Sequence, residues 1–212
     1  MLSYSGEVYL SVLQAYNTAI WPAPIVALLF GLIALGLIFV APAGGDRLVS
    51  ALLAAAWFWV GAVYFQSHLA SIDFAAPTLG WIFFLQSLLL VWRGLLAGNL
   101  TFGYHRDFAS WIGLGLVVFA LVVQPLVGWV AGDGWTSATI VGLAPGPTAL
   151  FTLGLLLLAS GRECLYLAVL PLLWLLVWGL AAWQLDIPAD YALPLGALLS
   201  LGFLFRARRP SR

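Results

Sequence analysis

The stretch Gly142-Leu143-Ala144-Pro145-Gly146-Pro147-Thr148 is the part of this chain best suited to chemistry. Two prolines around a glycine cannot continue a regular helix, because two backbone donors are missing and each ring clashes with the preceding turn. The residue before each proline is also pushed away from helical angles. A helix that starts afresh at Pro147 has its proline at the favoured first position. It also presents unpaired N–H groups and a positive dipole end. Such an end can receive an anionic or carbonyl group. The alternative is a plain proline kink repaired by Thr148 and neighbouring helices, and the sequence leaves both open.

Polar side chains point to the same region. Gln66, Gln86 and Gln124 interrupt apolar runs, Asn17 precedes one, and Trp21, His68 and Asp73 flank them. Polar residues in apolar helices face the bundle interior and bond across helices, or they mark a site. The expected site is an outward-facing pocket lined by Asn17, Trp21, Gln66, His68, Asp73, Gln86, Gln124, Pro145, Gly146, Pro147 and Thr148. In it the amides supply hydrogen bonds, the Pro147 helix start a positive dipole, and Asp73 a counter-charge. Trp174 and Trp178, four apart on one helical face, read either as packing or as a surface for a pigment or lipid.

Other chemistries lack their residues. The chain has no lysine for a retinal Schiff base and two histidines, His68 and His105, expected on opposite sides. That is short of the three that seven-helix zinc hydrolases use. It also does not fit a bis-histidine haem. His68 with Asp73 is an unspecific pair for zinc. No Gly-x-Ser-x-Gly or Walker-type loop is present, and Ser67 beside His68 is poorly placed for a triad. No catalytic residue and no metal site are assigned, and any cofactor is left unknown. Cys164 alone cannot form an intramolecular disulfide.

The elements that must position these residues follow from composition. The 212 residues are 64% hydrophobic and 8% charged, where a soluble domain carries about 25% charged residues. Mean hydropathy is +1.07. Net charge is zero, so nothing suggests a nucleic-acid partner. Apolar runs long enough to span a bilayer need about 20 residues. They are expected at about 20–40, 48–66, 77–96, 108–129, 139–158, 165–183 and 191–205. The fourth is interrupted at Gln124-Pro125 and the fifth broken at Ala144–Pro147. Residues 1–19 read as an interfacial segment on the outer side, and the start does not resemble a cleaved signal peptide.

All eight positive charges are arginines: Arg47, Arg93, Arg106, Arg162, Arg206, Arg208, Arg209 and Arg212. With seven spans every one falls on a single side, the pattern of cytoplasmic loops. The acids Glu7, Asp73, Asp133, Asp186 and Asp190 then fall outside. The expected fold is all-α: one domain, 1–212, a bundle of seven transmembrane helices. Its N-terminus is outside, and residues 206–212 form a cytoplasmic basic tail.

Three motifs carry a resemblance. They are Tyr16-Asn17-Thr18-Ala19-Ile20-Trp21-Pro22-Ala23, the stretch from Trp59 through Gly61, Tyr64 and Phe65 to Ala75-Ala76-Pro77 and Gln86, and Gly142–Thr148 followed by Phe151-Thr152-Leu153-Gly154. Together they resemble an uncharacterised bacterial family of multi-pass membrane proteins, a domain of unknown function. In that family a cysteine often stands at the position of Gly146 and a histidine at that of Phe65. The resemblance implies the fold and topology and no activity.

The leading expectation is a non-enzymatic bacterial inner-membrane protein that binds or passes a small molecule or ion. The alternatives are an accessory subunit of a larger membrane complex, contacting pigment or lipid, and a membrane enzyme acting on a lipid or isoprenoid. The expected partners are the lipid bilayer and either other membrane subunits or further copies of the chain.

Overall fold

The computed structural model describes residues 4–131 and 134–206, with side chains to Gly202. The expected outer turn at Gly132-Asp133 and most of the basic tail lie outside the described residues.

Among the described residues, five stretches are long and apolar enough to cross a membrane: Ala23–Val40, Gly45–Ser71, Ala76–Leu96, Phe108–Ala131 and Cys164–Gln184. The first helix, α1 (Gly6–Ala19), precedes them, capped by Ser5, whose hydroxyl accepts from the Val8 amide. It buries Tyr9, Leu13, Tyr16 and Asn17 and lies across one end of the bundle. Helix α2 (Ala23–Val40) follows a cis Trp21–Pro22 bond. Helix α3 (Gly45–Trp59) runs on as a π-helix, Val60–His68. Helix α4 (Ala76–Leu90) does the same over Val91–Leu96. Helix α5 (Phe108–Val118) passes through a π turn, Phe119–Val123, into α6 (Gln124–Ala131). No break therefore separates the halves at Gln124-Pro125. The wider turn absorbs the donor that Pro125 lacks.

Helix α7 (Pro145–Leu157) is the axis of the molecule, because each of its 13 residues is buried. A helix apolar on every side must be enclosed, and α7 packs against α5, α8 (Cys164–Gln184) and α9 (Leu193–Arg206). Gly113 and Gly154 let α5 and α7 touch backbone to backbone. A methyl on either would come within 2.8 Å of the other's carbonyl oxygen, a small-residue contact typical of membrane helices. At 1.5 Å per residue α7 is about 20 Å long, short of the ~30 Å hydrocarbon core. The chain before it, residues 138–144, is not helical. The helix starts at Pro145, two residues before the expected Pro147. Both prolines are harmless there, since the first N–H groups of a helix have no intrahelical partner.

The three Arg-bearing turns meet at one end. A two-residue antiparallel pair joins β1 (Thr101–Phe102) to β2 (Ala159–Ser160). The Asp46 carboxylate accepts from the Phe102 amide at 2.8 Å, and Arg93 approaches Glu163 at 3.5 Å. The opposite end gathers α1, the 3₁₀ turn Trp135–Ser137 and the α8–α9 linker.

Candidate functional site

Most of the expected site residues have intramolecular tasks. Asn17 donates to the Thr136 and Ala138 carbonyls at 2.6 and 2.9 Å. Gln66 donates to the Pro77 carbonyl at 3.0 Å. His68 Nδ1 lies 2.9 Å from the Val63 carbonyl, five residues back, and its ring meets Tyr16 edge-on at 4.9 Å. Asp73 accepts from the Ala75 amide at the start of α4 and bonds the Tyr4 hydroxyl. Trp21 is exposed and leans on Trp135, ring centres 5.0 Å apart. Thr148 accepts from the Gly142 amide and donates to the Ala144 carbonyl, 2.8 and 2.6 Å, so it holds the turn before α7 in shape.

Gln86 stands apart in the mid-bundle, donating to the Leu167 carbonyl at 2.8 Å. That carbonyl is four residues before Pro171, which sits inside α8 and offers it no N–H.

Gln124 and Gly146 meet at a residue read from the sequence as an outer-loop acid. Asp190, in the 3₁₀ turn Pro188–Asp190, is 1% exposed. Its Oδ1 accepts from Gln124 Nε2 at 2.6 Å and its Oδ2 from Trp178 Nε1 at 2.7 Å. A methyl on Gly146 would lie 3.3 Å from Oδ1 and 3.0 Å from Leu193. The carboxylate therefore sits at the positive end of α7. The anion that this helix start was expected to receive is part of the chain. Burial pushes the Asp190 carboxyl above the ordinary carboxylate range, against the two N–H donors that lower it.

Around Asp190 the polar and aromatic groups are continuous. Its charge acts on the Tyr9 and Tyr64 hydroxyls, and Tyr64 donates to Tyr9 at 3.1 Å. Tyr9 packs on Trp178 at 5.3 Å, and Trp178 stacks on Trp174 at 5.7 Å. Tyr64 meets Tyr16 edge-on at 5.3 Å. Tyr16 donates to the Leu143 carbonyl and accepts from Trp59 Nε1, both at 3.0 Å. Asp73, through Tyr4 stacked 6.4 Å from Tyr9, reaches the same centre. The pattern joins His68, Asp73, Gln124 and Gly146 through tyrosines that sequence reasoning did not single out. Two buried atoms in or beside it lack a partner among the described residues, Gln124 Oε1 and Trp174 Nε1.

The residues form a packed network. Asn17, Gln86, Gln124, Thr148 and Asp190 are each at most 2% exposed. A separate cavity of about 170 Å³ lies between α2 and α3. Its walls are apolar, among them Phe30, Leu53, Ala56, Leu143 and Phe151, and none of the eleven expected site residues lines it.

Residues 6–212 match the family of unknown function DUF6064. The chain belongs to that family. The family hit thus covers all three motifs that carried the resemblance, from Tyr16 to Gly154. No curated protein and no solved structure matches the chain. Membership in DUF6064 brings no activity with it, so function rests on the geometry.

Proposed function

We propose that this chain is a multi-pass protein of the bacterial inner membrane, N-terminus outside and C-terminus cytoplasmic, that binds or passes a small molecule or ion through the polar network in its outer half. The observation that carries the reading is Asp190, a fully buried carboxylate at a helix start with two neutral donors and, among the described residues, no basic partner. Ionisable groups in such settings are costly and mark functional sites. Segregation of arginine to one end supports the orientation.

The test is gentle purification from native membranes, with mass spectrometry of everything bound. A lone protein carrying a small solute or ion, lost in Asp190→Asn and Gln124→Leu, supports the reading. A lone protein that carries nothing and responds to no solute or ion overturns it.

A second reading, an accessory subunit, is favoured by α2. Only 22% of that span is buried, and Leu29, Phe30, Leu32, Ile33 and Phe39 face outward. Partner helices or lipid suit such a face. Stoichiometric partner proteins in the native preparation would decide for it.

A further inference from the structure

We propose that Asp190 is a proton-binding site, so that the ion taken up by the network is H⁺ rather than a metal cation. This rests on the ion-binding reading above and names its ligand.

Three observations favour the proton. Both carboxylate oxygens already accept an N–H, at 2.6 and 2.7 Å. A metal ion would need those lone pairs and would face the N–H groups that hold them. The site is close-packed, since even a methyl on Gly146 would press on Leu193 at 3.0 Å. A proton adds no volume. Finally, Gln124 Oε1 is buried and without a partner, on the carboxamide that already touches Asp190. It is an acceptor waiting for an O–H donor.

The exchange balances simply. A proton from outer water adds to Oδ1, and no bond of the protein breaks. The Gln124 carboxamide turns over, and Oδ1–H donates to Oε1 where Nε2 had donated to Oδ1. Trp178 Nε1 keeps its bond to Oδ2. The titratable groups facing Asp190 are Tyr9 of α1 and Tyr64 of the π-helical end of α3. Gln124 of α6, Trp178 of α8, Gly146 of α7 and Leu193 of α9 bring no charge. On its own linker, Asp186 is engaged by the Tyr191 hydroxyl. The bonded Tyr64–Tyr9 hydroxyls lie beside Asp190, and Tyr4, bonded to Asp73, stacks on Tyr9.

Infrared difference spectroscopy of the reconstituted protein tests this, with pH varied at each of several sodium concentrations and fixed potassium. The expected result is a buried-carboxyl C=O band that titrates above the ordinary carboxylate range and is lost in Asp190→Asn. In Gln124→Leu its midpoint rises, because the bond lost from the ionised carboxylate is charge-assisted and outweighs the bond lost from the neutral acid. Gel filtration shows whether each variant is folded, and Gln124→Leu keeps the test open if Asp190→Asn is not. A band unchanged in Asp190→Asn overturns the proposal. So does a midpoint that moves with sodium concentration, but that result leaves the ion-binding reading standing with a metal ion as ligand. A carboxyl that stays ionised throughout, with no effect of any cation on stability, overturns both.

Discussion

The Gln86 side-chain amide donates to the Leu167 carbonyl, the one that Pro171 leaves without a helical partner. A glutamine on α4 thus repairs a proline on α8, 85 residues away in sequence, through a carbonyl 81 residues away.

This pair predicts a double-mutant result. Gln86→Leu orphans a buried carbonyl and should cost about 1–3 kcal/mol. In a Pro171→Ala background, where residue 171 again supplies an N–H, the same change should cost clearly less. Thermal unfolding in detergent of the four proteins measures the coupling. Additive costs would show that Gln86 acts through packing alone.

Asp190 predicts a pH dependence. Its folded-state pKa is raised, so the folded state binds the proton more tightly than the unfolded chain does. The stability from this group is complete below about pH 4, the unfolded value. It is lost as pH rises through the folded value. Relative to Asp190→Asn, the wild-type protein should therefore lose thermal stability over that window and then stay level. A parallel pair of curves would remove Asp190 from the titration.

Gly146 predicts a steric limit. Its neighbours Leu193, Asp190 and Gln124 stand at 3.0, 3.3 and 3.4 Å from a would-be methyl. Gly146→Ala should be tolerated with a small loss. Gly146→Val should cost about 1–3 kcal/mol, as overpacking does, and displace the Asp190–Gln124 bond. Equal melting temperatures for the two variants would show that the site yields freely.

Trp57 donates its indole N–H to Thr152 at 2.9 Å, pinning α3 to the buried axis α7. Thr152→Val keeps the shape and orphans the donor, an expected loss of about 1–3 kcal/mol. Adding Trp57→Phe should recover part of it. If the double variant is as unstable as the sum of its parts, the bond contributes nothing net.

The proposed orientation predicts opposite labelling of two exposed sites. In a Cys164→Ser background, Ser71→Cys should react with an impermeant maleimide in intact spheroplasts. Asn99→Cys should react only after the membrane is inverted or opened. The reverse pattern would turn the protein over.

Helical runs and their ends were legible because they are local: apolar stretches bounded by Pro22, Pro42, Asp46-Arg47 and Arg162-Glu163. The sites of Gln86 and Gln124 were legible as buried polar groups, but their partners were not. Gln86 answers a proline 85 positions on, and Gln124 an acid 66 positions on. Asp190 itself was misread, because an acid beside Pro188 and Tyr191 looks like any loop charge until Trp178 and Gln124 close over it. The π turn before Gln124 and the β1–β2 pair depend on contacts between distant segments, so no local pattern announces them. Of the seven expected spans, five coincide with helices long and apolar enough to cross a membrane, their ends shifted by up to five residues. The segment at 139–158 became a turn and a short buried helix, because protein rather than lipid surrounds it.

Tyr16 of α1 closes on the Leu143 carbonyl, 127 residues later in the chain. That bond sets an order of events during synthesis. At about 5–20 residues per second, α1 leaves the ribosome roughly 6–25 seconds before the segment it must cover. Over that interval Tyr16 has Trp59, Tyr64 and His68 to pack against but no carbonyl to receive its hydroxyl, and Asn17 lacks the Thr136 and Ala138 carbonyls. The turn before α7, once made, needs a helix that has been waiting. Helix α1 is thus among the last of these elements to be locked, and an early and a late segment of the chain meet at one hydrogen bond.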